Sequence, residues 1–310
     1  MIVKIEDLVK KYGDLIALNH FNLEIRENEI FGLLGPNGSG KSTAIHCMLS
    51  LLSYDKGTIE LFDKPMSPVA YDLKRDIGIV MQNVAVFNEL TVCENIDYFC
   101  GLYIQDKQKR KALVEEAISF VGLEKFQKFL PGKLSGGLLR RLNIACGISH
   151  KPKLIFMDEP TVAVDPQSRN QILEGIRELN RNGATIIYTS HYMEEVEQLC
   201  TRIMIMDEGR SIACGTKDEL KALVRTGEKI TISVVAVNEK ALNGIRNIPG
   251  VIHMEQQENQ LIIQSEIEKH TLHLLLNFLK EHSISYTNIY AEAPTLNDVF
   301  LEITGKQLRE

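Results

Sequence analysis

Apolar and polar residues alternate with the strand period from Ile2 to Lys10 and again from Phe21 to Ile25, which predicts a pair of edge strands. The pattern then changes to a continuous apolar run, Ile30 to Leu34 (IFGLL), as expected of a strand buried on both faces of a mostly parallel sheet. Similar runs recur at Ile77 to Met81, Leu154 to Met157, Ala184 to Tyr188 and Arg202 to Met206, with helical spacing between them. Strands alternating with helices predict a layered α/β domain. Between Asn83 and His150 the strand signal stops. Apolar positions follow helical spacing through Val92 to Ile104 and Lys107 to Val121, and Ser135 stands at the N-cap position of a further helix running to about His150. This stretch, about 83–150, reads as a helical insertion.

A second change of period lies near the middle of the C-terminal half. Thr216-Lys217-Asp218-Glu219 has the form of a capping box opening a short helix to about Val224. Beyond Thr226 and Gly227 the order becomes strand (Lys229 to Val237), helix (Glu239 to Asn247), hairpin (Val251 to Gln256 with Gln260 to Gln264), helix (Lys269 to Lys280) and strand (Ser285 to Tyr290). That β-α-β-β-α-β order predicts a small ferredoxin-like α+β domain, 226–310, after a larger domain, 1–225. A last helix is expected over Leu296 to Thr304.

Composition narrows the possibilities. The 310 residues suffice for two domains, and 44% hydrophobic with 25% charged residues is ordinary globular composition. A net charge of -6 and a pI near 5.8 supply no basic field for nucleic-acid phosphates, so bulk DNA or RNA is not expected as a partner. The six cysteines form no C-x-x-C pair and most lie in apolar segments, which predicts reduced thiols in a cytosolic setting. The start, MIVKIEDLVK, lacks a basic region followed by an apolar core, and no apolar run approaches the roughly 18 residues of a spanning helix, so no transmembrane segment of its own is expected.

The candidate chemistry gathers around Gly35-Pro36-Asn37-Gly38-Ser39-Gly40-Lys41-Ser42-Thr43, which fits G-x-x-x-x-G-K-[ST] between a buried strand and a helix. Glycines let successive N–H groups point into one concavity, and the following helix adds the positive end of its dipole, so the loop suits a triphosphate. Lys41 is expected to reach the β- and γ-phosphates and Ser42 to ligate Mg²⁺. Asp158 and Glu159 end another buried strand, and parallel sheets bind ligands at the carboxyl ends of their strands. Asp158 is suited to the metal, and Glu159 to orienting and deprotonating a water for in-line attack. Gln82 and His191 each follow an apolar strand, so Gln82 can reach the metal or the water and His191 the γ-phosphate.

GPNGSGKST, Gln82, Leu134-Ser135-Gly136-Gly137, LIFMDEP, Asp165 and His191 follow one another in the order and spacing of an ABC-transporter ATPase subunit, and the chain resembles that family over about residues 1–220. The tail, from Thr295-Leu296-Asn297-Asp298-Val299-Phe300 to Gly305, resembles the ATPases of ABC-2 type drug, antibiotic or sodium exporters. The resemblance implies ATP and Mg²⁺ as cofactors, adenine stacked on Tyr12, and metal held by Ser42, Gln82 and Asp158. It implies that Ser135, Gly136, Gly137 and Asp165 act across an interface on ATP held by a second subunit, in a homodimer or a heterodimer. Integral membrane permease subunits follow as partners, with the chain peripheral on the cytoplasmic face of a bacterial-type membrane and the C-terminal domain regulatory or dimerising. Three positions depart from the family pattern: Leu138, where a polar residue is usual, and Ala163-Val164 before Asp165. They imply a weaker contact to the opposing nucleotide and a stiffer interface loop. Two other readings are a soluble ABC ATPase working on ribosomes or DNA, against which stand the single phosphate loop and the absence of a long coiled-coil pattern, and a nucleotide-gated module whose small domain senses a ligand.

Overall fold

The computed structural model describes residues 1–224, 226–235, 237–266 and 271–305. Contacts divide the chain into two units, Met1–Thr216 and a second beginning at Lys217. In chain order the first unit contains β1 (Val3–Tyr12), β2 (Leu15–Ile25), β3 (Ile30–Leu34), α1 (Lys41–Met48), β4 (Lys56–Leu61), β5 (Lys64–Pro65), α2 (Tyr71–Lys74) and β6 (Ile77–Val80). It continues through α3 (Val92–Gly101), α4 (Lys107–Phe120), α5 (Gly136–Ile148), β7 (Leu154–Asp158), α6 (Pro166–Arg181), β8 (Thr185–Ser190), α7 (Met193–Leu199), β9 (Arg202–Asp207) and β10 (Arg210–Gly215).

The five apolar runs form the parallel part of one sheet, ordered β10-β9-β3-β8-β7-β6, with β10 antiparallel at one edge. Every residue of β3, β7 and β8 is buried, because helices cover both faces of a parallel sheet. The N-terminal strands do pair antiparallel, but they are not edges of this sheet. They belong to a separate one, β2-β1-β4-β5, in which β1 lies inside because β4 pairs with its other side. Phe21, Leu23 and Ile25 from that sheet share a core with Phe31, Leu33, Ile45, Met48 and Phe156. Thr91 closes a full capping box on α3, Asp106 caps α4 and Ser135 caps α5, so the insertion is helical as the periodicity predicts.

The second unit contains α8 (Lys217–Lys221), β11 (Thr226–Val234), α9 (Glu239–Arg246), β12 (Val251–Gln257), β13 (Gln260–Glu266), α10 (Thr271–Glu281), β14 (Tyr286–Glu292) and α11 (Leu296–Thr304). Its antiparallel sheet, ordered β12-β13-β11-β14, is the ferredoxin-like arrangement. Ile230, Ile232, Leu261 and Ile263 face Leu242, Ile245, Leu275 and Leu279 of α9 and α10 across one core. The division after Thr216 comes earlier than the expected limit at 225, because α8 packs on α11 and so groups with the second unit. Residue 225, the adjoining expectations at 236 and 269–270, and the terminal 306–310 lie outside the described residues. Among the described residues no helix is long and apolar enough to cross a membrane, and all six cysteines are free thiols.

Candidate active site

The loop between β3 and α1 turns at Gly40, whose φ of 103° places it in the left-handed region and whose missing side chain leaves room for the Ala17 carbonyl, 2.6 Å from where a Cβ would stand. Lys41 follows as the first residue of α1. It is buried, and its Nζ donates to Gly35 O at 2.7 Å and Pro36 O at 3.0 Å. Burial lowers its pKa, opposed by the charges of Glu159 and Asp158. Ser39 Oγ, in the same loop, is buried and meets no hydrogen-bond partner among the described residues.

The β7 carboxylates stand beside this loop. Asp158 Oδ2 accepts from Ser42 Oγ at 3.2 Å, and its Oδ1 accepts from Thr189 Oγ1, on the neighbouring β8, at 2.6 Å. Glu159 leaves the strand with φ +48°, a left-handed conformation that costs a non-glycine residue about 1–3 kcal/mol. Its N–H is held by Thr189 Oγ1 at 3.0 Å, and its side chain is aimed so that Oε2 accepts from Gln82 Nε2 at 2.9 Å while Oε1 lies 3.2 Å from His191 Nδ1. Gln82, Glu159 and His191, each just past the end of a strand, are thereby drawn together, with Ser42 of α1 bonded to the neighbouring Asp158.

A cleft of about 610 Å³ opens above them, lined by Tyr12, Asn37, Gly38, Gly40, Lys41, Ser42, Thr43, Gln82 and Glu159 among others. Tyr12 ends β1 with its ring half exposed, and Lys10 Nζ sits 5.1 Å from the ring centroid. Ser42 and Gln82 in the cleft lining, with Asp158 bonded to Ser42, carry oxygens that are hard donors of the kind Mg²⁺ takes together with nucleotide phosphates. Among the described residues lining the cleft there is no Ser135, Gly136, Gly137 or Asp165. Those four lie together elsewhere: Ser135 caps α5, Asp165 caps α6 through Ser168 N–H at 2.9 Å, and a Cβ on Gly137 would fall 2.5 Å from Ser168 Oγ and 3.0 Å from Asp165 Oδ2. Ser168 also holds the Asp165 carboxyl below its usual pKa.

Sequence reasoning missed three residues that organise this site. Thr189 bridges Asp158 and the Glu159 backbone. Arg140, 4% exposed on α5, donates to carbonyls on both the Gln82 and the Glu159 segments. Glu195, buried on α7, accepts from Tyr188 and Thr161, each at 2.7 Å, and lies 3.2 Å from Arg169 Nε, whose guanidinium covers the Tyr192 ring next to His191. The available signal for Arg140 and Glu195 is a charge placed on the buried stripe of an amphipathic helix.

With this geometry in hand, comparison with known proteins gives a consistent picture. Residues 18–162 match the family model described as ABC transporter, and residues 215–304 match the C-terminal domain of DrrA1-3-like ATP-binding proteins. The linearmycin resistance ATP-binding protein LnrL of Bacillus subtilis (strain 168) is 38% identical over 311 residues, covering 100% of both chains. The daunorubicin resistance ATP-binding protein DrrA3 of Streptomyces coeruleorubidus is 31% identical over 308 residues, covering 99% of this chain and 97% of its own. Among solved structures, a dimeric ATP-binding cassette in a post-hydrolysis state with ADP and Pi superposes with a TM-score of 0.63 at 27% identity, covering 69% of this chain and 98% of that one.

Proposed function

The chain belongs to the ATP-binding subunits of ABC transporters, which makes it an ATPase, and from that premise we propose that it is the motor of an export system, paired with a second subunit around two Mg-ATP. The observation that carries the reading is Glu159, strained at its backbone and held between Gln82 and His191 beside the Asp158–Ser42 pair. Lys41 and the loop Gly35 to Thr43 bind the triphosphate, and Tyr12 stacks on the adenine. Glu159 orients a water and takes its proton, while His191, using the ring nitrogen that does not face Glu159, donates to the γ-phosphate. Ser42 and Gln82, with Asp158 behind them, would hold Mg²⁺, which would supply positive charge against the triphosphate.

The placement of Ser135, Gly136, Gly137 and Asp165 outside the cleft supports a site completed by a partner subunit, whether an identical or a different chain. A permease surface is supported by the helical insertion, where Phe87 and Tyr98 are both exposed with ring centroids 4.8 Å apart, five residues or more from Gln82 in sequence, and Phe87 is pinned through its N–H to Asn95. The names of the relatives, resistance proteins for linearmycin and daunorubicin, support an antibiotic-like or drug-like cargo. The chain then works peripherally on the cytoplasmic face of the membrane, with its C-terminal domain regulating or dimerising the motor.

Membrane recovery tests the export reading. The chain is expected in the membrane fraction when its permease is co-expressed, and Phe87→Asp with Tyr98→Asp releases it while ATP binding persists. Purely soluble behaviour with every co-expressed permease overturns the reading.

A further inference from the structure

Arg140 is a charged side chain in a position where charge is expensive, since it is nearly fully buried and meets no carboxylate at hydrogen-bond distance among the described residues. Its guanidinium instead spends its donors on five backbone carbonyls. Nε donates to Pro160 O at 2.7 Å, Nη1 to Met81 O at 2.9 Å and Gln82 O at 2.7 Å, and Nη2 to Asp158 O at 3.2 Å and Glu159 O at 2.7 Å. These carbonyls come from two segments only: the end of β6 that delivers Gln82, and the end of β7 that delivers Asp158 and Glu159. A planar fork with five N–H groups can hold two strand ends in one register, which a single ammonium point cannot.

The Glu159 peptide is the one that most needs such a clamp. Its left-handed φ turns successive carbonyls of 158, 159 and 160 toward one side, and Arg140 donates to all three there. The Gln82 carbonyl is bound by the same nitrogen that reaches Met81, so the Gln82–Glu159 side-chain bond at 2.9 Å is fixed from behind at both ends. Arg140 also sits one turn into α5, the helix that Ser135 caps and that carries Gly136 and Gly137.

We infer that Arg140 is a positioning residue for hydrolysis: it sets the catalytic geometry of Glu159 and Gln82 from behind and ties that geometry to the helix bearing the motif offered to a partner's nucleotide. The inference rests on the proposed role of Glu159 as the general base. Acting through Glu159, Arg140 governs turnover and leaves nucleotide binding alone.

The test is a kinetic comparison of the purified full-length chain with Arg140→Lys and Arg140→Met, together with TNP-ATP binding and thermal melting. Both substitutions are expected to lower kcat by on the order of tenfold to a hundredfold, while KM and the TNP-ATP Kd stay within about twofold. Lys keeps the charge and much of the packing, so a folded Arg140→Lys that still turns over slowly separates positioning from stability. In single-turnover hydrolysis, Glu159→Gln combined with Arg140→Lys is expected to be no slower than Glu159→Gln alone, since both act on one step. Additive losses, a rise in KM matching the fall in kcat, or an Arg140→Lys enzyme with wild-type kcat overturns the inference. A Glu159→Gln chain with unchanged turnover instead removes the general-base reading on which it stands.

Discussion

Gln82 Nε2 donates to Glu159 Oε2 at 2.9 Å, so a residue just past β6 fixes the carboxylate just past β7. The pair joins the helical insertion, which begins just after Gln82, to the group best placed to activate water. Glu159→Gln replaces the carboxylate by an amide and removes the proposed base, while the residues of the phosphate loop are unaltered. Steady-state ATP hydrolysis is expected to fall by about 10² to 10⁴, with TNP-ATP binding retained, as measured by phosphate release and fluorescence titration.

Lys41 contributes differently, since its ammonium sits at the mouth of the loop on the carbonyls of Gly35 and Pro36. Lys41→Ala removes the loop's own cation and leaves two acceptors facing the place of the phosphates. Loss of TNP-ATP binding, by about tenfold or more in Kd, is the expected outcome. Tight Mg-ATP binding by this variant refutes the loop's role.

How much of this was legible beforehand follows from how local each signal is. The phosphate loop, the apolar strands and the Ser135 cap are written within a few residues, and each stands where the pattern places it. The separate β2-β1-β4-β5 sheet escaped notice because β4 reaches β1 across more than forty residues, and period alone does not say which strand pairs with which. Arg140 is one of two adjacent arginines, and helical spacing can put it, rather than the less buried Arg141, on the covered stripe of α5. Which carbonyls it meets is not written locally, since the Gln82 and Glu159 segments come from distant parts of the chain. The unit boundary escaped for a similar reason: α8 finds its partner in α11, at the far end of the chain.

Gly137 has no room for a side chain. A Cβ there would stand 2.5 Å from Ser168 Oγ and 2.8 Å from its Cβ. Gly137→Ala must therefore push α5 from the first turn of α6, at about 1–3 kcal/mol of stability. ATPase activity is expected to fall while nucleotide binding by the isolated chain is unchanged. Ser168→Gly in the same chain restores part of the activity, and urea unfolding checks the stability change.

His150 gives the folded state a pH dependence of known sign. It is buried with Nε2 3.0 Å from the Ile77 carbonyl and its ring stacked 3.8 Å from Tyr103, and burial lowers its pKa below the usual 6.5. Between the lowered folded value and 6.5 the unfolded chain binds the extra proton, so this contribution is complete above 6.5 and is lost as pH falls beneath it, by at most about 1.4 kcal/mol per pH unit. His150→Phe keeps a ring against Tyr103 and is expected to flatten that part of the stability curve, measured by urea unfolding from pH 5 to 7.5.

The contact of Gly137 with Asp165 and Ser168 also decides how this motor can be cut and recombined. Judged by its helices, the insertion is a cassette of about 83–150 that another ATPase could receive whole. Judged by what α5 touches, such a graft would part Gly137 from the loop it is fitted to. A chimera meant to redirect the motor to a new permease has to carry the stretch through residue 168 as a single inherited block.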